Sequence, residues 1–179
     1  MKQTEYEWKC ALTRADYAAL TELLARIPMT GVTQTNHYYD TPDGRLRRED
    51  ITVRVRDKNG ALTGTVKRHG RDGCSTEESF GVDLLPERLE VDGLPLERRG
   101  SLTTRRRSYR LVGGMLLMLD ENTYLGKTDY ELELEYPAGW REQAEGILLC
   151  LQSLILHPFP ESMTKSERCF RQLENVNKT

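Results

Sequence analysis

Acidic side chains recur at every second position in two segments near opposite ends of the sequence. Glu5 and Glu7 are separated by one apolar residue, and DYELELE at 129–135 repeats the same alternation. Because successive side chains of a β-strand point to opposite faces, each segment predicts a strand with one acidic and one apolar face. Clustered carboxylates without nearby sulfur or imidazole are hard oxygen donors, which suit Mg²⁺, Mn²⁺ or Ca²⁺.

Basic side chains alternate with apolar ones in further segments. VRVR at 53–56 places Arg54 and Arg56 on one face, Lys67 follows an apolar residue, and Arg106 shares a face with Arg110. Arginine and lysine together suit phosphate oxygens, which a guanidinium group can bind through two parallel hydrogen bonds. A sheet with one solvated face is the alternative for any single strand, but a solvated face would favour mixed signs.

The separation of charge signs by strand predicts that the charged faces converge on a shared interior. Such a barrel has a polar lumen, an apolar exterior and a helical cover. Charges confined in a lumen need partners. We expect like charges to repel one another in the empty tunnel, and we infer that both sets together bind a polyphosphate complexed with a metal ion.

The local patterns predict the elements of this barrel. Thr13 followed by Asp16 is a helix N-cap signature, and the apolar spacing that follows predicts a helix of about 14 residues ending before Pro28. Further helices are predicted at Trp140–Leu154 and Ser162–Leu173, with short helices within Leu84–Arg99 and a solvated loop containing Arg45, Arg47 and Arg48. Strands are predicted at Thr4–Leu12, Gln34–Asp40, Ile51–Asp57, Ala61–Arg68, Thr76–Val82, Thr103–Val112, Met115–Thr123 and Lys127–Tyr136. The predicted class is α+β, with about eight antiparallel strands.

Composition narrows the functional classes. The 179 residues predict one domain, and 26 Lys and Arg against 28 Asp and Glu give a formal charge of −2, which argues against a nucleic-acid binder. No apolar stretch is long enough to span a membrane, and the N-terminus lacks an apolar signal region. The four cysteines lie far apart in the sequence, which is typical of a cytoplasmic protein with reduced thiols. The oligomeric state, monomer or homodimer, is left open.

An ordered series of motifs resembles the CYTH, or triphosphate tunnel metalloenzyme, superfamily. EYEWK at 5–9 is similar to its ExExK signature. The resemblance continues through HYYDTPDGRL at 37–46, VRVR at 53–56, TVK at 65–67, TRRRSY at 104–109, LDENTYLGKTDYELELE at 119–135 and TKSERCF at 164–170. The chain is most similar to short, thiamine-triphosphatase-like bacterial members. This implies a single CYTH domain over residues 1–179, built as an eight-stranded antiparallel β-barrel tunnel.

The resemblance also implies the roles of the charged residues. The implied metal ligands, for Mg²⁺ or Mn²⁺, are Glu5, Glu7, Glu131, Glu133 and Asp120, with the role of Glu135 left open. The implied substrate-binding bases are Lys9, Arg54, Arg56, Lys67, Arg106, Lys165 and Arg168. Lys9 and Arg56 are expected to stabilise the transition state electrostatically. Three consecutive arginines at 105–107 leave the tunnel-facing one open, and Arg106 fits the family spacing best.

The expected function is metal-dependent hydrolysis of a small triphosphate, with inorganic tripolyphosphate favoured. Thiamine triphosphatase and a class IV-type adenylate cyclase are the alternatives within the family. A non-catalytic module that binds polyphosphate or RNA 5′ ends is the alternative from another class. Such a module would need the basic strands but not the acidic ones, so the paired acidic strands argue against it.

Overall fold

A computed structural model describes residues 2–71, 73–155, 158–160 and 162–178. Its strands are β1 (Lys2–Leu12), β2 (Met29–Asp40), β3 (Ile51–Lys58), β4 (Ala61–His69), β5 (Cys74–Gly81), β6 (Arg88–Val91), β7 (Leu94–Arg110), β8 (Leu116–Tyr124) and β9 (Lys127–Tyr136). Its α-helices are α1 (Arg14–Leu23), α2 (Arg45–Arg48), α3 (Arg141–Ser153) and α4 (Lys165–Val176). No helix in the described ranges combines the length and apolarity needed to cross a membrane.

Eight of these strands close into a barrel. They follow the order β2-β3-β4-β5-β1-β9-β8-β7, and β7 pairs with β2 to complete the circle. Every pairing is antiparallel, and β6 adds a ninth strand that pairs with β7 alone. The predicted eight-stranded antiparallel tunnel is therefore confirmed.

The barrel carries its main apolar layers on the outside. Leu132 and Leu134 of β9 are fully buried in a cluster with Leu20 of α1 and Leu148 of α3. A second apolar cluster around Val53 and Val55 packs beneath α2 and the β6–β7 hairpin. Since the alternate residues of the same strands are charged, the charged faces point into the tunnel, as the alternation predicts.

Helix α1 begins as predicted and ends earlier. The Thr13 hydroxyl accepts from the Asp16 amide at 3.1 Å and the Asp16 carboxylate accepts from the Thr13 amide at 3.3 Å, which completes a capping box. The helix has 10 residues rather than the predicted 14. The chain then continues in turns up to Ile27, whose amide donates to the Leu24 carbonyl.

The prediction of short helices within Leu84–Arg99 is wrong. That segment forms the β6–β7 hairpin, and β7 begins at Leu94, nine residues before its predicted start at Thr103. Asp92 and Gly93 both have positive φ, 51° and 74°, which is the backbone of a two-residue hairpin turn.

The prediction of a solvated loop at Arg45, Arg47 and Arg48 is correct for the exposure of Arg45 and Arg48 but wrong for the backbone. The segment forms α2, whose Leu46 and Arg47 amides donate to the Asp40 carboxylate. Arg47 also pairs with Glu167 of α4 at 2.6 Å. Helix α2, which lies between β2 and β3, is therefore tied to α4 by this ion pair.

Candidate functional site

Strands β1 and β9 form the acidic wall of the tunnel. Their register places Glu7 opposite Glu135 and Lys9 opposite Glu133. Directly opposed residues on one face lie within side-chain reach, so these carboxylates share one surface.

A close backbone contact fixes the position of Glu7. Beyond Tyr6, where the pairing of β1 with β5 ends, the Glu7 amide donates to the Gly73 carbonyl at 3.0 Å. A Cβ at residue 73 would lie 2.3 Å from the Glu7 carbonyl oxygen, and the φ of Gly73 is +73°. The glycine is therefore required by both space and backbone conformation.

Lys67 connects the acidic wall to β4 and β5. Its ammonium group lies 3.1 Å from Glu5, 3.2 Å from Glu7 and 3.4 Å from Glu77. Glu77 also pairs with Arg54 at 3.2 Å. Sequence reasoning did not single out Glu77, which the pairing of β4 with β5 places opposite Lys67.

Arg56 differs from the other tunnel cations in its partners. Among the described residues it forms no ion pair, and its Nε donates to Asn36 Oδ1 at 3.0 Å. Burial and the positive charges of Arg54 and Arg106 lower the pKa of Arg56 to about 10. The neighbouring Arg54 Nε is buried with no hydrogen-bond partner among the described residues. These two guanidinium groups are therefore suited to bind an added anion.

Arg106 is the member of the arginine triplet that points into the tunnel. It donates to Asp120 at 2.8 and 2.6 Å and to Glu133 at 2.5 Å. Its side chain is 15% exposed, against 70% for Arg105. Arg107 lies on the outer face of the barrel. Burial there raises the pKa of Tyr109, and the positive charge of Arg107 partly opposes this rise.

Helix α4 supplies the last two predicted bases, and both contact carboxylates in the tunnel. Lys165 lies 3.0 Å from Asp120 and 2.9 Å from Glu131, and it also contacts Glu133. Arg168 donates to Glu131 at 2.7 Å. Burial alone would raise the pKa of Glu133, but Lys165 and Arg106 hold it well below the usual range.

The expectation that like charges repel one another in the empty tunnel holds at Arg56 and Glu135, whose pKa values are shifted by burial and by neighbouring like charges, but most other tunnel charges have partners of opposite sign. Positive and negative side chains alternate in the tunnel because α4 and β5 supply ionic partners that do not lie on the charged strand faces predicted from the sequence. Within the part of the chain that the structure describes, carboxylates pair with each tunnel base except Arg56, and the predicted metal ligands among them contact cations. The roles assigned to these residues from the sequence stay predictions.

Glu135 shows where negative charge remains in excess. Burial and the nearby charge of Glu133 raise the pKa of Glu135 to about 7, and Glu5 and Glu7 add to the shift. No group of three or more acidic, histidine or cysteine side chains in the described ranges is arranged to hold a metal ion in this structure. The carboxylates of Glu5, Glu7 and Glu135 supply hard oxygen donors, the chemical type that a divalent cation such as Mg²⁺ prefers.

Glu135→Gln is expected to stabilise the protein at pH 8. A folded-state pKa of about 7 lies above the ordinary 4.5, so the folded state binds the extra proton and loses stability as pH rises between those values. Removing the charge should therefore raise the melting temperature at pH 8, by on the order of 2–8 °C for about 1–2 kcal/mol, and by much less at pH 4.5. Thermal unfolding of both proteins at the two pH values measures this. Equal shifts at both pH values would contradict it.

The acidic wall and the strands that carry Arg54, Arg56 and Arg106 enclose a chamber of about 110 Å³. Its lining also includes Glu7 and Glu135. A larger cavity of about 880 Å³ lies on the α2 and α4 side. Both cavities are lined by Lys9, Thr52, His69, Thr164 and Ser166.

His69 lines the tunnel, although the charge pattern of the strands does not single it out. Burial and the charges of Lys9 and Lys67 lower its pKa to about 4, so it is neutral at pH 7. Its Nε2 is hydrogen-bonded to the Thr52 hydroxyl at 3.1 Å. His69 therefore adds a neutral polar group to the wall that both cavities share.

Comparisons with known proteins agree with this architecture. The family model described as "CYTH domain" matches residues 3–147. A Bacillus subtilis protein named "Putative triphosphatase YjbK" is 29% identical, with 93% of each chain covered.

Two solved structures share the fold. A Bacillus halodurans protein described as a "putative adenylate cyclase" superposes with a TM-score of 0.74 at 24% identity, covering 94% of this chain and 98% of its own. HpAC1 from Hippeastrum, described as a "putative adenylyl cyclase" with a dominant triphosphatase activity, gives 0.70 at 22% identity, with 96% and 95% covered.

Proposed function

Because the chain belongs to the CYTH domain family, we propose that it is a metal-dependent triphosphatase whose preferred substrate is inorganic tripolyphosphate. The observation that carries the proposal is the pair formed by Arg54 and Arg56. Both guanidinium groups line a chamber whose opposite wall is acidic, and both retain capacity to bind an anion. The triphosphatase descriptions of YjbK and HpAC1 support the same reaction class.

Substrate binding in this chamber is an exchange of ionic partners. The phosphate oxygens would accept hydrogen bonds directly from the guanidinium groups of Arg54 and Arg56. Lys67 and Arg106 would contact the phosphate chain while keeping some of their contacts with carboxylates. Lys9 would contribute a further positive charge. These groups act by position and charge rather than by proton transfer, as phosphoryl transfer requires.

The acidic wall completes the site. Glu5, Glu7 and Glu135 would hold Mg²⁺ or Mn²⁺, which neutralises charge on phosphate oxygens and helps to orient a water molecule. A module that only binds polyphosphate would not need carboxylates facing its bases. Their presence on the opposite wall of the same chamber therefore favours hydrolysis over simple binding.

A panel of triphosphates tests the proposed reaction. Tripolyphosphate, thiamine triphosphate and ATP are assayed for release of phosphate, pyrophosphate and cyclic nucleotide, with Mg²⁺, with Mn²⁺ and with EDTA. We expect the highest kcat/KM for phosphate release from tripolyphosphate, and none in EDTA. A preference for thiamine triphosphate, or cyclic AMP as the main product from ATP, would assign the chain to one of the alternatives.

Ligand binding is expected to raise the melting temperature. A ligand that binds only the folded state at one hundred times its dissociation constant stabilises it by about 2.7 kcal/mol. For a chain of this size each kcal/mol corresponds to roughly 2–4 °C, so tripolyphosphate with Ca²⁺ should raise the melting temperature by about 5–11 °C. Monophosphate should give less because it contacts fewer bases. An equal shift with an unrelated polyanion at matched ionic strength would indicate a generic basic surface.

A further inference from the structure

Two hydroxyl side chains flank Lys165 at the start of α4, and both belong to one chain of hydrogen bonds. Thr164 Oγ1 lies 3.0 Å from Ser166 Oγ, which lies 3.1 Å from Thr52 Oγ1 of β3. Thr52 Oγ1 is in turn 3.1 Å from His69 Nε2 of β4. We call Thr164, Ser166, Thr52 and His69 the hydroxyl chain. It connects the first turn of α4 to two adjacent strands of the barrel.

Every hydroxyl group of this chain can be satisfied at once. Each one donates to the next when the order runs from Thr164 through Ser166 and Thr52 to an unprotonated His69 Nε2. Thr164 Oγ1 also accepts from the Glu167 amide at 3.2 Å, which caps α4. Because the pKa of His69 is about 4, the imidazole is neutral at pH 7 and adds no positive charge next to the tunnel cations. The chain is therefore a neutral link within a charged site.

The residue that the hydroxyl chain flanks carries its charge into the chamber. Lys165 lines the chamber together with all four members of the chain. Its side chain is 11% exposed, and its ammonium group contacts carboxylates of β8 and β9. The place that the ammonium can reach depends on the backbone at residue 165. Hydrogen bonds at residues 164 and 166 fix that backbone from both sides.

We propose that Thr52 is a positioning residue, which places the Lys165 ammonium in the chamber through its hydrogen bond to Ser166 while His69 orients the Thr52 hydroxyl. The inference rests on the proposed function, because it takes Lys165 as one of the bases that bind the triphosphate. It leaves unchanged the groups that contact the substrate and the metal.

Other contacts keep α4 on the barrel when the hydroxyl chain is broken. Arg168 lies 2.7 Å from Glu131, and Glu167 lies 2.6 Å from Arg47 of α2. Cys169 is fully buried in an apolar cluster with residues of β2 and β7. Losing the Thr52 hydroxyl should therefore loosen the segment around residue 165 without detaching the helix.

Hydrogen exchange measured by NMR tests this placement without any substrate. Thr52→Val conserves the shape of the side chain and removes the hydroxyl group that bonds to Ser166 and His69. We expect the Glu167 amide to exchange about 10-fold faster in this variant, because the hydroxyl that it donates to is then held less firmly. Thr52→Ser keeps the hydroxyl group and should exchange like the wild type.

Thr35→Val is the matched control for the loss of a strand threonine hydroxyl. Thr35 Oγ1 is hydrogen-bonded to Thr103 Oγ1 at 3.0 Å, and neither residue lines the chamber. This variant should leave both the exchange of the Glu167 amide and the kinetics unchanged.

A double-mutant cycle tests whether Thr52 acts through Lys165. With Mg²⁺, Thr52→Val should lower kcat/KM for tripolyphosphate by about 10-fold, and Thr52→Ser should keep most of the activity. The same substitution in a Lys165→Met chain should cause no further loss, because the group to be positioned is gone. A merely structural role of Thr52 would lower kcat/KM by the same factor in both backgrounds. Melting temperatures confirm that each variant is folded.

Two outcomes would overturn the proposal. One is wild-type exchange of the Glu167 amide in Thr52→Val, since the carboxylate contacts of Lys165 would then suffice to place it. The other is a loss from Thr52→Val that persists in full in the Lys165→Met chain. A wild-type chain that releases no phosphate from tripolyphosphate would overturn the proposed function instead. The exchange experiment needs no turnover, so it would still decide whether Thr52 holds the start of α4.

Discussion

Glu7→Gln is expected to lower kcat for tripolyphosphate hydrolysis by about 10²-fold or more, with the fold retained. The substitution conserves the shape of a side chain that lies opposite Glu135 and removes one negative charge from the proposed metal site. Losing a metal ligand removes the stabilisation of charge that develops on the phosphate oxygens. Folding should persist because Lys67 keeps its contacts with Glu5 and Glu77.

Steady-state kinetics at saturating Mg²⁺ and Mn²⁺ would measure this loss, and circular dichroism would check the fold. Glu22→Gln on the exposed face of α1 is a matched control and should leave kcat unchanged. The Glu7 variant should also bind Mn²⁺ more weakly, which separates a metal ligand from a residue that only orients Lys67. Turnover near the wild-type value, or unchanged Mn²⁺ affinity, would remove Glu7 from the metal site.

The barrel could be predicted because charged and apolar residues alternate without a break in the strands that carry its most informative charge pattern. In β9, charged residues occupy every second position from Asp129 to Glu135, and the observed strand has the predicted bounds, Lys127–Tyr136. A period of two fixes which residues share a face, whatever the tertiary structure. The order of strands and the closure of β7 on β2 were not predicted, because register between distant strands leaves no local signal.

The incorrect predictions concern segments in which local sequence patterns conflict, or in which contacts between residues distant in the sequence determine the structure. Between Leu84 and Arg99 the alternation of Leu89, Val91, Leu94 and Leu96 is present. It is obscured because one proline precedes it and another lies between Leu94 and Leu96. Propensity is a weak guide when a short strand is stabilised mainly by its partner.

The ion-pair network could not be read from the sequence at all. Lys165 and Glu131 are 34 positions apart and Arg47 and Glu167 are 120 apart, so their contacts depend on where α4 packs. Sequence patterns show which charges face the tunnel, whereas the partner of each charge depends on the packing of elements that carry no such pattern.

Arg56→Ala is expected to lower kcat/KM for tripolyphosphate by about 10²- to 10³-fold, with effects on both kcat and KM. Arg56 has no carboxylate partner among the described residues, so its charge is fully available to the substrate in both the ground state and the transition state. The same reasoning predicts little loss of stability, because its removal also relieves the repulsion from Arg54 and Arg106 that lowers its pKa.

Arg56→Lys distinguishes charge from geometry. Lysine restores the charge without the planar fork of the guanidinium group, so we expect it to recover only part of the lost kcat/KM. Arg105→Ala is the matched control, because its side chain is 70% exposed on the outer face of the barrel and its loss should leave the kinetics unchanged. Steady-state kinetics of the three variants, with melting temperatures to confirm folding, decide the point. If Arg56→Ala and Arg105→Ala behaved alike, the guanidinium group in the tunnel would not contact the substrate, and the chamber would not be the phosphate-binding site.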